Sequence, residues 1–409
     1  MTDIAVLEVA LHDEPIGTLT HVGGERTLFA FDDAYIDNPD RPTLSLSFKD
    51  EFGGLLTEFR AYRRRVMPFF SNLLPEGHLR QYLAESAGVK PEREFHLLSA
   101  LGNDLPGAIT VKPAEGGALS LADSQHGHAD DSSASHHDNA LRFSLAGVQL
   151  KFSAVLAPAG GLTIPASGIG GSWIVKLPSR EFDGVPENEF SMMTLAQLVG
   201  IDVPSIDLVD VDSIDNLPKG MDRVGGKAFL IERFDRLPDG SAVHIEDFSQ
   251  VFGVYADKKY RAASLRNIAQ VLAVETSDAD ITEFIRRLVF CALIGNGDMH
   301  LKNWSLMYPD RRHAALAPAY DLVSTIPYIA HDDMGLKISR TRAFAEVTRE
   351  ELEHLAAKAA IPAQLVWETA QETVERFQQH WHAEKHSLPM KAPVRDAIDS
   401  HIGRLPIAQ

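Results

Sequence analysis

The sequence predicts an α+β fold of two lobes with an additional β-rich subdomain in front of them, and three observations lead there. Residues 4 to 10, about 16 to 20, and Thr27–Phe31 alternate apolar and polar side chains as strands do, around the turn-like Asp13-Glu-Pro-Ile-Gly17. Strand character returns at Trp173–Val175, at about Ile206 to Val211 and at Lys227 to Arg233. From about residue 237 onward helical spacing takes over, which predicts an all-helical C-terminal lobe. The expected division is 1–115 for the N-terminal subdomain, 116–140 for a polar loop, 141–236 for a strand-bearing lobe and 237–409 for the helical lobe.

Taken in order, Met67–Gly77 is an apolar turn leading into a helix, Pro91–Leu101 a second helix, and Gly102–Val111 a return to strand. Ser120–Asn139 is rich in Ser, His, Asp and Ala, which predicts a solvated linker; its His126, His128, His136 and His137 have no companion residues that would fix a metal geometry. Pro186–Val199 reads as a helix stopped by Gly200. Thr348-Arg-Glu-Glu351 predicts a capping box for a helix to Ala359, Pro362 opens a long helix through Trp381, and Val394–Leu405 forms another.

Composition narrows the function. The 409 residues suffice for two or three domains. The formal charge of −18 repels phosphate backbones, so direct nucleic-acid binding is not expected. Cys291 is the only cysteine, which excludes an internal disulfide and a cysteine zinc cluster. No apolar run approaches about 18 residues and Met1–Ala10 has no secretory pattern, so a cytoplasmic protein without a membrane partner is expected.

The most informative stretch is Gly295-Asn-Gly-Asp-Met-His-Leu-Lys-Asn303, delivered by the apolar helical segment Asp280–Ile294. Asp298 and Asn303 stand five apart, the separation that protein kinases use between the catalytic aspartate and a magnesium-binding asparagine. Asp321, in Tyr320-Asp-Leu322, would add a carboxylate to the metal site. An ordinary capped turn would also use Asp and Asn, so the motif makes a demand on the preceding sequence: a lysine and a phosphate-covering loop on a sheet. Lys176 ends an apolar run and is placed either to meet ATP phosphates or to lie at a strand edge with its head in water. Glu189 could pair with it, or could instead complement a helix dipole. Glu232 and Phe234 lie where a strand leaves for the second lobe, the adenine-binding hinge of kinases, or else form a salt-bridged strand end. Ser144-Leu-Ala146-Gly147-Val148-Gln149 reads as a tight turn whose small residues let backbone N–H groups approach a phosphate. No Walker motif is present.

Ser-Leu-Ala-Gly-Val-Gln-Leu-Lys151, the Lys176 strand, Ile231–Arg236 and Gly-Asn-x-Asp-x-His-x-Lys-Asn303, together with Phe69–Gly77 and Gly102–Ile109, resemble the HipA family of bacterial toxin–antitoxin serine/threonine kinases along nearly the whole chain. The resemblance implies a protein-kinase-like fold using ATP and Mg2+. It also implies a catalytic Asp298, metal ligands Asn303 and Asp321, and nucleotide-contacting or supporting positions at Lys176, Glu232, Phe234, His300, Lys302 and the Ser144–Gln149 turn. Ser144 would be the autophosphorylated serine that silences the enzyme. The implied substrate is an aminoacyl-tRNA synthetase, glutamyl-tRNA synthetase first. The implied partner is a HipB-like helix-turn-helix antitoxin, through which operator DNA would be reached. Two departures stand out: the long polar Ser120–Asn139 segment, and the lack of a kinase Gly-x-Gly-x-x-Gly before Lys176. A co-repressor acting with the antitoxin and a small-molecule kinase remain alternatives.

Overall fold

The computed structural model describes residues 5–23, 25–114, 151–156, 162–164, 170–179, 181–217, 225–330 and 332–409. The Ser144–Gln149 turn and the Ser120–Asn139 segment lie outside the described residues. The N-terminal sheet is antiparallel in the order β4-β3-β2-β1-β5, from β1 (Ala5–Leu11), β2 (Glu14–Val22), β3 (Arg26–Phe31), β4 (Tyr62–Arg63) and β5 (Ile109–Pro113). Its first hairpin turns at His12 and Asp13, both with positive φ, the backbone that a two-residue hairpin demands. Along β3, Thr27, Phe29 and Phe31 are buried while the residues between them are exposed. Short helices α1 (Asp33–Asp37), α2 (Pro68–Ser71), α3 (Gly77–Ser86) and α4 (Glu94–Leu101) accompany the sheet. Phe29, Phe31, Phe48, Phe69 and Phe70 form the aromatic centre of this core.

The second sheet has the order β10-β7-β6-β8-β11-β9, from β6 (Lys151–Leu156), β7 (Leu162–Thr163), β8 (Trp173–Lys176), β9 (Ile206–Asp210), β10 (Ile214–Asp215) and β11 (Lys227–Glu232). Strand β11 shows why both faces are covered. Ala228 and Leu230 enter one core with Phe152 and Val175, whereas Phe229 and Ile231 enter the larger core with Met192, Leu195 and Val199 of α5 (Val185–Val199). Helix α5 stops where expected, at Gly200 with φ +94°.

The C-terminal lobe contains α6 (Phe248–Val251), α7 (Leu265–Glu275), α8 (Asp278–Ile294), α9 (Arg349–Ala359), α10 (Ala363–Glu384) and α11 (Ala392–Ile402). The two-lobed α+β expectation holds, with one correction: the lobe is not all-helical. A three-stranded sheet, β12 (His244–Asp247), β13 (Ser305–Tyr308) and β14 (Ala315–Leu316), crosses it. Strands of four, four and two residues are too short to show a period in sequence. The expected capping box at Thr348 is also only half formed. Thr348 accepts from the Glu351 N–H, but the Glu351 carboxylate is taken by the Ser339 and Arg340 amides and the Arg340 side chain. The N-terminal subdomain is fastened to this lobe by Glu246 on β12, which accepts hydrogen bonds from Ser45 Oγ at 2.5 Å, from the Leu46 N–H at 2.9 Å and from Tyr308.

Candidate active site

Between the sheets and the helical lobe lies a cavity of about 1190 Å³, lined by Lys176, Glu189, Glu232, Phe234, Asp298, His300, Lys302, Asn303 and Asp321. The described residues singled out from the sequence therefore converge, although they come from segments more than 100 residues apart.

Strand pairing creates the first feature. Lys151 on β6 lies directly opposite Lys176 on β8, and like charges facing each other across strands are destabilising unless something neutralises them. Asp321 does so: one carboxylate oxygen accepts from Lys176, and the other lies 3.3 Å from Lys151 Nζ. Lys176 is also bonded to Glu189 of α5, so its buried ammonium sits between two carboxylates. Burial alone would lower the Lys176 pKa, but Asp321 and Glu189 override it and hold the lysine charged, well above its ordinary value. For Asp321 burial pushes upward, yet the Lys151 and Lys176 cations win and keep it ionised far below the usual carboxylate range. Glu189 is shifted upward because its burial outweighs the same lysine.

Asp321 itself has φ +56°, a left-handed backbone that short polar residues tolerate better than most others. Its carbonyl accepts from Asn296 Nδ2 at 3.4 Å, which ties it to the loop carrying Asp298.

That loop is built by the end of α8. Every residue from Leu288 to Ile294 is buried, so the helix is clamped, and Gly295 ends it at φ +65°. The chain then turns through Asn296, whose Oδ1 accepts the Asp298 N–H at 3.0 Å. Asn303 Nδ2 donates to the Asp298 carbonyl at 2.8 Å, closing the loop on itself. The Asp298 carboxylate accepts from the Tyr260 hydroxyl. Burial is the main cause that raises the Asp298 pKa to about 6, partly offset by Tyr260 and Lys259.

The remaining sequence candidates take different places. His300 is buried, packs edge-on against Tyr260 at 4.9 Å, and is held neutral chiefly by burial. Its Nδ1 has no hydrogen-bond partner among the described residues. Lys302 is committed to Asp247 at 2.6 Å and to the Asn72 carbonyl at 3.0 Å, so it works as a strut between subdomains although it borders the cavity. Phe234 stacks on Tyr320 at 5.9 Å. The Glu232 amide is already used, donating to the Ser205 carbonyl at 2.9 Å. Sequence reasoning missed Lys151, Tyr260, Lys259 and Glu76. Lys151 was detectable, since it closes the Ser-Leu-Ala-Gly-Val-Gln-Leu-Lys sequence motif; the others carry no local signal.

The donor set suits magnesium. Asp321 is an ionised carboxylate in a place that already holds two cations, and bonding of the Asn303 nitrogen to Asp298 assigns its amide oxygen to the opposite side. Both are hard oxygen donors bordering one cavity.

A buried pair between a sheet lysine and a helix glutamate, facing an aspartate–asparagine loop on a helical lobe, defines a kinase-like protein. Residues 7–112 match the model of the HipA N-terminal domain and residues 143–381 that of the HipA-like C-terminal domain. The chain belongs to the HipA family. It is 59% identical to "Putative kinase Y4dM" of Sinorhizobium fredii over 98% of this chain and 97% of that one. It is 28% identical to the serine/threonine-protein kinase toxin HipA of Shewanella oneidensis over 64% of each chain. The fold matches HipA in the solved Shewanella oneidensis complex of HipA, HipB and operator DNA, with a TM-score of 0.72 over 98% of this chain and 96% of that one, at 22% identity. Among the described residues no helix is long and apolar enough to cross a membrane.

Proposed function

We propose that this HipA-type kinase is an ATP- and Mg2+-dependent serine/threonine-protein kinase, the toxin of a module with a HipB-like antitoxin. The observation that carries the reading is the buried Lys176–Glu189–Asp321 cluster sharing one cavity with Asp298. Lys176 neutralises charge developing on the transferred phosphoryl group, the largest contribution a protein makes to this chemistry. Asp298 orients the acceptor hydroxyl and takes its proton; burial holds its pKa at about 6, close to the working range of a general base. Asn303 and Asp321 would hold the magnesium, which would supply positive charge to offset that of the phosphates. Glu232 and Phe234 border the adenine end. The backbone of Ser144, Ala146, Gly147, Val148 and Gln149 would cover the phosphates, and autophosphorylation of Ser144 would withdraw that cover.

The resemblance to the family supports an aminoacyl-tRNA synthetase, glutamyl-tRNA synthetase first, as the acceptor. Operator DNA would be reached through the antitoxin, which suits a chain of charge −18. Cytoplasmic placement follows from such an acceptor. The test is incubation of purified protein with labelled ATP and Mg2+, with and without a synthetase, alongside Asp298→Asn and Ser144→Ala. Transfer abolished by Asp298→Asn is expected. A wild type that labels neither itself nor the synthetase overturns the protein-kinase reading, and self-labelling that survives Ser144→Ala overturns the regulatory site alone.

A further inference from the structure

The loop that joins α2 to α3 in the N-terminal subdomain reaches the catalytic loop directly. Asn72 is buried there, and its Nδ2 donates to the Pro68 and Val254 carbonyls at 2.9 and 2.7 Å, which fixes the amide so that Oδ1 faces Lys302 Nζ at 3.3 Å. The Asn72 carbonyl accepts from the same ammonium at 3.0 Å. Four residues on, Glu76 bonds Lys259 at 2.9 Å and lies 3.9 Å from Lys302. Lys259 is itself buried, and its carbonyl accepts the Leu301 N–H at 3.3 Å. Its neighbour Tyr260 donates its hydroxyl to Asp298, and the Tyr260 carbonyl is held by Arg342. The segment before Glu76 is anchored: Leu73 and Leu74 are buried in the N-terminal core, and Pro75 restricts the backbone before the helix starts at Gly77.

We infer that Glu76 and Tyr260 are positioning residues for phosphoryl transfer, so that the N-terminal subdomain holds the catalytic aspartate in place through the chain Glu76–Lys259–Tyr260–Asp298. The inference rests on the kinase reading above. A general base must be held to within fractions of an ångström, and Asp298 sits on a loop rather than on a helix or strand. Tyr260 restrains its carboxylate, Glu76 restrains the segment carrying Tyr260, and Asn72 with Asp247 anchors Lys302 four residues beyond Asp298. None of these side chains needs to touch the nucleotide to act.

The test compares wild type with Tyr260→Phe, Glu76→Gln and the double variant, measuring kcat and KM for ATP together with thermal midpoints. Tyr260→Phe deletes one hydroxyl and keeps the ring, so it retains the test even if Glu76→Gln folds poorly. Each single variant is expected to lower kcat by about ten- to a hundredfold with KM for ATP within about twofold of wild type. The double variant is expected to lose much less than the product of the two, because both act through one chain. Variants whose kcat stays within about twofold, or whose losses lie in KM, overturn the inference and leave the kinase reading intact. A wild type without transfer activity overturns both.

Discussion

Lys176 is the residue on which most of the site's electrostatics converge. Glu189 is only 2% exposed, so removing the ammonium leaves a buried carboxylate without its partner. Lys176→Met is expected to abolish phosphoryl transfer and to destabilise the fold by about 3–5 kcal/mol, measured by urea unfolding. Adding Glu189→Gln to that variant should restore much of the stability and none of the activity. This separates the structural cost of the charge from its catalytic use. Lys151, 42% exposed at its side chain and bonded to the same Asp321, should matter far less to stability. In sequence Lys176 was open to an edge-strand reading because nothing local reveals which carboxylates surround it. Asp321 is 145 residues away, and only the packing of α5 and the return of the chain after β14 bring both acids to one ammonium.

At the level of elements, helix ends decide where the catalytic loop lies. Gly295 has φ +65°, and a Cβ added there would meet Ile326 Cδ1 at 2.5 Å. Gly295→Ala is expected to cost on the order of 2–3 kcal/mol from backbone strain and overpacking together, and to depress activity because Asp298 lies three residues on. By contrast, Thr348→Ala removes the hydroxyl that caps α9 and should cost about 1 kcal/mol, with activity unchanged, since that helix end lies away from the cavity. Chemical-denaturation midpoints with matched rate measurements would distinguish the two. Both helix ends were readable from sequence, as were the strand carrying Lys176 and the stop of α5 at Gly200. The sheet β12–β13–β14 was not, and its absence from the sequence reading hid how Glu246 reaches the N-terminal subdomain. The half-formed capping box shows the same limit: Glu351 fits the local pattern, but Arg340 offered a stronger partner.

Across the whole molecule, Glu246 ties pH to the docking of the N-terminal subdomain. Burial raises its pKa to about 7, although Ser45, Tyr308 and the Leu46 amide all donate to it and work the other way. A carboxyl whose folded pKa lies above its unfolded value of 4.5 adds stability that is complete below about pH 4.5 and is lost as pH rises through about 7. Between pH 5 and pH 8 this group should therefore withdraw on the order of 1–3 kcal/mol. Unfolding free energies of wild type and Glu246→Gln at both pH values provide the check: the pH dependence should be smaller in the variant. Asp321 slopes the opposite way, and its contribution fades only in acid well below this window because its pKa is depressed. Asp298 and the buried His300 also titrate near this window, so it is the difference between wild type and Glu246→Gln at pH 5 and 8 that isolates Glu246.

By itself the sequence determined the elements and the chemical inventory. Periodicity and caps marked most strands and helices, and the five-residue spacing of Asp298 and Asn303 suggested phosphoryl transfer, because those properties are local along the chain. Tertiary structure decided how the inventory is used. It made Lys302 a strut, set Lys151 opposite Lys176 across two strands, put Tyr260 on Asp298, and brought Glu76 and Asn72 from the N-terminal subdomain to the catalytic loop. Contacts between residues 25 to 230 positions apart are set by packing and charge neutralisation in the folded state, and no short sequence window contains both partners. The Gly295–Asn303 loop is therefore legible as a motif, while its contacts with the N-terminal subdomain are visible only in three dimensions.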